Sequence, residues 1–123
     1  MPVRDERIGV VLFQLGGPDS LDAVEPFLRN LFSDPDIFDL PLARIVRPIF
    51  ARTIAKLRAQ KVRRNFLEIG GKSPIGEYTD RQARALERKL CESIDARVFV
   101  AMRYWKPFSA DAIERLREVN CNR

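Results

Sequence analysis

The 123-residue sequence has no histidine and only two cysteines, Cys91 and Cys121. Without an imidazole, the chain can supply no histidine base, proton shuttle or metal ligand. Two distant cysteines disfavour a tight zinc site. They also provide no disulfide framework, so both read as reduced thiols. No apolar stretch approaches the roughly 20 residues that a membrane-spanning helix requires. The first residues, Met1-Pro2-Val3-Arg4-Asp5-Glu6-Arg7, lack the apolar region of a signal peptide. The expected location is the cytoplasm, with association at a membrane surface left open. There is no internal repeat and no low-complexity tract. Acidic residues are missing from Ala43 to Leu67, a stretch that holds Arg44, Arg47, Arg52, Lys56, Arg58, Lys61, Arg63 and Arg64. Such a block prefers an anionic neighbour, whether ligand carboxylates, lipid headgroups or nucleic acid.

Apolar residues make up 46% of the chain, enough to build a core, and the length suits one domain. Ile8 to Leu15 is a nearly continuous apolar run, as expected for a strand covered on both faces. Gly16-Gly17-Pro18 breaks it, and Asp19 or Ser20 can cap a following helix. Leu21, Val24, Leu28, Leu31 and Phe32 recur at helical spacing, with Pro26 tolerable only in the first turns. Ile37 to Pro41 forms a short apolar connection. Leu42 to about Ile69 reads as a long helix with a kink point at Pro48. Its greasy side is expected to be Ile45, Ile49, Ile54, Leu57, Val62 and Phe66. Gly70-Gly71-Lys72-Ser73-Pro74 stops it. Thr79-Asp80-Arg81-Gln82 matches a capping box, with Ala83, Leu86, Leu90 and Ile94 lining one face beyond it. Val98 to Tyr104 is a second strand. Ser109 caps a last helix carrying Ala112, Ile113, Leu116 and Val119.

The predicted order is strand, helix, helix, helix, strand, helix. Two strands joined by a helical crossover should pair in parallel. The fold class expected is α/β, a partial doubly wound parallel sheet. Two strands are too few to bury these helices, so the chain reads as the amino-terminal piece of a larger α/β protein.

Ligands bind at the carboxyl ends of parallel strands in open α/β sheets. Two segments fall there. Leu15-Gly16-Gly17-Pro18 offers exposed backbone beside glycines. Met102-Arg103-Tyr104-Trp105-Lys106-Pro107-Phe108 offers a cation, a phenol and an indole. Together they suit a large, flat, anionic ligand. Each also has a plainer reading: a strand-to-helix turn for the glycines, and a buried Trp105 with Arg103 on a surface carboxylate for the second. Gly71-Lys72-Ser73 resembles the tail of a phosphate-binding loop, but Phe66 stands where the first glycine belongs and the preceding sequence is helical. Phe27, Leu31 and Phe32 fit a core face by spacing, and also the mouth of a pocket. The basic block fits a solvated helix face, and also a membrane or carboxylate contact. It lacks interleaved aromatics, which argues against single-stranded nucleic acid.

Taken in order, three segments resemble the ferrochelatase family. They are Gln14-Leu15-Gly16-Gly17-Pro18-Asp19-Ser20 with Val24-Glu25-Pro26-Phe27-Leu28-Arg29-Asn30-Leu31-Phe32-Ser33-Asp34, then Ile69-Gly70-Gly71-Lys72-Ser73-Pro74-Ile75, then Ala101-Met102-Arg103-Tyr104-Trp105-Lys106-Pro107-Phe108. The resemblance implies insertion of ferrous iron into a porphyrin (protoporphyrin to protohaem) in haem synthesis, by a lyase with two doubly wound domains around a cleft. Residues 1–123 would be the amino-terminal part of the first domain. Leu15, Gly16, Gly17, Pro18, Ser73, Arg103 and Tyr104 match porphyrin-binding positions. Phe27, Leu31, Phe32, Ile37 and Arg58 match the lip of the cleft. The family's catalytic histidine and glutamate lie beyond residue 123, so no catalytic residue and no metal ligand is expected in this chain. Iron and porphyrin enter as substrates, with no tightly bound cofactor. Lys106 departs from the histidine common in relatives. The partners implied are a porphyrin and an anionic membrane, not nucleic acid. Two other readings stay open: a non-catalytic α/β half-domain that binds an anionic tetrapyrrole or nucleotide, and a basic surface adaptor. This chain alone is expected to be inactive.

Overall fold

A computed structural model describes residues 6–39 and 43–123, with the side chains of Ala43 and Arg44 outside the description. Six elements follow in the predicted order: β1 (Ile8–Gln14), α1 (Val24–Phe32), α2 (Ala43–Leu67), α3 (Ile75–Leu90), β2 (Ala96–Met102) and α4 (Ser109–Glu118). Met1–Gly16 with Ile75–Arg123 forms one compact unit, and Gly17–Pro74 forms another. The expected helix start at Leu42, and the end of the Ile37–Pro41 connection, lie outside the described residues.

In the first unit, β1 and β2 pair in parallel, from Ile8 opposite Ala96 to Gln14 opposite Met102. Side chains alternate across a sheet. Val10, Leu12, Val98, Val100 and Met102 share one face and pack with Ala83, Leu86 and Leu90 of α3. The opposite face meets α4. There the Arg115 guanidinium lies 5.4 Å from the Phe99 ring centroid, and a methyl at Gly9 would come within 2.5 Å of Leu116 Cδ2. The structure is therefore α/β, with a two-stranded parallel sheet between α3 and α4. Coverage of β1 on both faces is not complete, because Phe13 is 81% exposed. The α4 helix begins at Ser109 and packs on β2, leaving that end of β1 open among the described residues.

The strand edges are handled differently. On the outer side of β2, the Val98 N–H donates to the Glu87 carboxylate at 2.8 Å. The Met102 N–H donates to the Pro107 carbonyl at 2.6 Å. Filling exposed N–H groups in this way blunts an edge strand. On β1's other side, Gly9 donates to Arg123 O at 2.8 Å and Asn122 donates to Arg7 O at 3.0 Å. Arg7 also ties the amino-terminal ends of the strands, with Nε 2.8 Å from Asp95 Oδ2 and Nη1 2.7 Å from Val119 O.

In the second unit, α1 lays Val24, Leu28 and Phe32 against Ala51, Ala55 and Ala59 of α2, with Phe27, Phe38, Ile54, Val62 and Phe66 around them. The buried stripe of α2 is thus alanine. Small side chains let two helix backbones approach, and the larger apolar residues of α1 fill the interface. This corrects the expected greasy side: Ile54, Val62 and Phe66 face the core, whereas Ile45 is 74% exposed and Ile49 and Leu57 are also exposed. Pro26 lies in the first turn of α1, where its missing N–H costs little.

Three capping expectations are also corrected. Helix α1 starts at Val24 with Ala23 at its N-cap and no side-chain cap bond; Ser20 Oγ instead accepts from the Ala23 N–H in the preceding turn. Helix α3 starts directly after Pro74, so Thr79 is inside it and its hydroxyl donates back to Ile75 O at 2.6 Å. Phe108, not Ser109, is the N-cap of α4, and its N–H donates to the Asp111 carboxylate at 2.8 Å. Ile94 lies beyond the end of α3 and is exposed.

Candidate functional site

Parallel pairing brings the carboxyl ends of β1 and β2 to one edge. The loops leaving them are clamped by main-chain bonds: Arg103 N–H to Gln14 O at 3.0 Å, and Tyr104 N–H to Leu15 O at 3.0 Å. The Gln14 side chain adds to this, its Oε1 accepting the Leu15 N–H at 3.0 Å. Gly16 adopts φ +91°, and a Cβ there would sit 3.1 Å from Met102 Cβ. Both the left-handed conformation and the lack of space favour glycine.

Around this clamp, Leu15 and Arg103 are exposed, while Tyr104 is only 4% exposed. The Arg103 guanidinium carbon lies 5.6 Å from the Tyr104 ring centroid. Lys106 Nζ lies 5.9 Å from the Trp105 ring. A hollow of about 710 Å³ is lined by Phe13, Leu15, Phe108, Gln14, Arg103 and Ser109 among others. Its wall is mostly apolar, with one cation and a few polar groups. That arrangement can hold a flat apolar molecule bearing an acidic group.

The remaining motif residues sit in the second unit. Gly70 and Gly71 take φ +101° and +83° and end α2, with the Gly71 N–H donating to Phe66 O at 2.7 Å. Two residues on, the Ser73 N–H donates to Pro18 O at 2.8 Å. The Gly17-Pro18 turn and the Gly-Gly-Lys-Ser-Pro segment, far apart in sequence, are thereby joined. Helix rather than strand precedes Gly71-Lys72-Ser73, which does not suit a phosphate-binding loop.

Of the residues matched to a lip, Phe32 is buried in the core, Phe27 packs against that core, and Leu31 is half-buried. Ile37 and Arg58 are exposed. Helix α2 also carries a mostly apolar hollow of about 410 Å³ that includes Ile45, Ile49, Phe50 and Thr53. Arg52, Lys56, Lys61 and Arg64 of the same helix are exposed. Among the described residues, no three cysteine, aspartate or glutamate side chains gather at metal-binding distance.

Sequence reasoning passed over Gln14, Phe13 and Phe108 as site residues. Gln14 carries a signal in retrospect: it is the one polar side chain in an otherwise apolar strand. Phe13 and Phe108 carry none, since an aromatic in or beside a strand reads as core.

Comparison with known proteins bears on these segments together. The family model described as ferrochelatase matches residues 7–123. The ferrochelatase of Aquifex aeolicus is 54% identical over 114 residues, covering 93% of this chain and 35% of that protein. The ferrochelatase of Geobacter metallireducens is 52% identical over 118 residues, covering 96% and 36%. Ferrochelatase-2, chloroplastic, of Oryza sativa subsp. indica is 50% identical over 117 residues, covering 94% and 22%. The chain therefore spans about a third or less of the length of these relatives. A match that runs from the first strand through both clamped loops to the last helix leaves one assignment: the chain belongs to the ferrochelatase family.

Proposed function

We propose that this chain supplies one wall of a porphyrin site in an enzyme that inserts ferrous iron into protoporphyrin. The observation that carries this reading is the clamp of Arg103 and Tyr104 onto Gln14 and Leu15 at the strand ends. It fixes an apolar surface and a cation beside each other without relying on mobile side chains. A porphyrin presents a broad apolar disc and propionate carboxylates. Leu15 and Phe108 suit the disc, and Arg103 suits a carboxylate.

Metal insertion needs the macrocycle bent, so that the pyrrole lone pairs point at the incoming ion. A rigid wall helps to impose that shape, and the glycine turn at Gly16 lets backbone approach the disc closely. Two pyrrole protons must leave, which requires an acceptor of matched pKa. The chain has no histidine. The proton acceptor is, on this reading, supplied from outside residues 1–123, by the histidine and glutamate that the family resemblance implies. On this reading the protein is a lyase of haem synthesis, located in the cytoplasm or at a membrane surface. No helix among the described residues is long and apolar enough to cross a membrane. The exposed Ile45 and Ile49, with Arg52 and Lys56 beside them, support peripheral contact with anionic lipid. Vesicle binding should then rise with anionic lipid and fall with salt. Equal binding to neutral and anionic vesicles would remove the membrane contact.

The decisive test is titration of the chain with protoporphyrin, followed by anaerobic addition of ferrous iron. Porphyrin fluorescence should change on binding, and Arg103→Ala should weaken it. Metalation should not exceed the protein-free control. No saturable binding would overturn the porphyrin wall. Metalation by this chain would overturn the placement of the chemistry elsewhere.

A further inference from the structure

The basic block of α2 reads in sequence as a run of equivalent cations, but the structure uses them differently: Arg47 Nη2 donates to Phe38 O at 3.4 Å, and Arg63 serves α1. Arg63 turns back toward α1. Its Nε donates to Leu21 O at 3.2 Å, and its Nη2 lies 3.7 Å from Glu25 Oε2. Arg52, Lys56, Lys61 and Arg64 on the same helix are exposed. The Leu21 carbonyl already accepts the Val24 N–H at 3.3 Å, in the turn that leads into α1. That turn has no side-chain cap on the helix itself. Arg63 thus holds the entry of α1 at a carbonyl and at the first-turn carboxylate.

The segment that follows α2 grips this stretch a second time. After the Gly70-Gly71 stop, Ser73 donates to Pro18 O at 2.8 Å, and Gly71 lies close to Leu21. The Pro18–Leu21 stretch is therefore held at both ends, by a guanidinium of α2 and by a backbone N–H of the segment that follows it.

We infer that Arg63 is a positioning residue for the Gly17-Pro18 turn, acting through Leu21 and Glu25 and not by touching a ligand. This role rests on the porphyrin reading of that turn. A forked guanidinium can serve a carbonyl and a carboxylate at once. An ammonium reaches one of them at a time, so lysine should restore the role only in part.

The test uses the full 123-residue chain with Arg63→Gln, Arg63→Lys and, as a control cation on the same helix, Lys61→Gln. Three quantities are read: amide exchange at Ser73, exchange at the core amides of Ala55 and Ala59, and the affinity and induced circular dichroism of bound protoporphyrin. Loss of one charge-assisted contact should speed Ser73 exchange in Arg63→Gln about threefold to tenfold, with Ala55 and Ala59 unchanged. Protoporphyrin should bind more weakly with an altered dichroism band, Arg63→Lys should lie between, and Lys61→Gln should match the parent. Unchanged Ser73 exchange in Arg63→Gln, or an equal effect of Lys61→Gln, would overturn the role. If Arg63→Gln does not fold, Arg63→Lys still decides, since parent-like exchange there would also count against it. If the parent chain binds no protoporphyrin, the porphyrin reading falls while the exchange measurements still judge Arg63.

Discussion

The helical unit and the sheet unit bury apolar surface in different ways. In Gly17–Pro74, the alanine stripe of α2 receives Val24, Leu28 and Phe32, and Phe38 closes the end with its ring 5.2 Å from that of Phe32. In the sheet unit, α3 covers Val98, Val100 and Met102, but the other face is covered only in part, and Phe13 stands open beside Leu15 and Arg103. The closed interface gives stiffness. The incompletely covered one lies at the carboxyl ends of the strands, where a ligand wall is useful. If the proposed site is right, stability and binding fall to different regions, and substitutions should separate them.

The largest effect is expected from Phe32→Ala. It removes a ring from a tightly packed site, so about 3–5 kcal/mol of stability should be lost, enough to unfold a domain of this size. Chemical denaturation followed by circular dichroism measures it. A loss under about 1 kcal/mol would mean that the helical contact is looser than its burial implies. Ala55→Leu probes the same interface from the other side. Ala55 is fully buried, and added methylenes there should cost about 1–3 kcal/mol by forcing α1 away. Tolerance of leucine would show that the alanine stripe is not what sets the helix spacing.

Much of this fold was legible in the sequence. Strand and helix order, the parallel pairing and the glycine stops follow from local patterns. Periodicity misassigned half of the α2 face, Ile45, Ile49 and Leu57, for a physical reason: isoleucine and leucine outweigh alanine on any hydropathy scale, yet close helix packing selects the small side chain. The Thr79 capping box failed because Pro74 had already started the helix. For the site, the glycine turn and Arg103-Tyr104 were readable as strand-end segments. Their joining was not, since Arg103 N–H to Gln14 O and Ser73 N–H to Pro18 O are main-chain bonds that no side-chain pattern encodes. The inward turn of Arg63 was equally hidden, because composition treats all cations of α2 alike.

A smaller effect should come from the amino-terminal ends of the strands. Asp95 is held below its ordinary pKa of 3.8, first by the hydrogen bond from Arg7, against a desolvation cost, and then by the charges of Arg7 and Arg97. A lowered carboxylate pKa stabilises the folded state fully above its unfolded value. That contribution is lost as pH falls through the folded value. Asp95→Asn should therefore lower the melting temperature modestly at neutral pH, with the difference from the parent shrinking below about pH 4. Because the group is exposed, the gap should also narrow with salt. A difference that persists unchanged at pH 2 would assign the effect to local geometry instead of charge.

The smallest effect on stability, and the sharpest test of the comparison, is expected at Phe13. An aromatic within a strand ordinarily belongs to a core, and its replacement by serine would then cost several kcal/mol. Here the ring is exposed and lines the hollow at the strand ends. Phe13→Ser should change unfolding free energy by less than about 0.5 kcal/mol. It should also lower binding of apolar dyes, because an exposed aromatic contributes to a sticky patch. Sedimentation velocity belongs beside the melt. A large loss of stability together with a shift from dimer to monomer would show that a second copy covers the ring in solution. A large loss in a chain that stays monomeric would show that β1 is enclosed on both faces, and the contrast between the closed helical interface and the open sheet face would not hold.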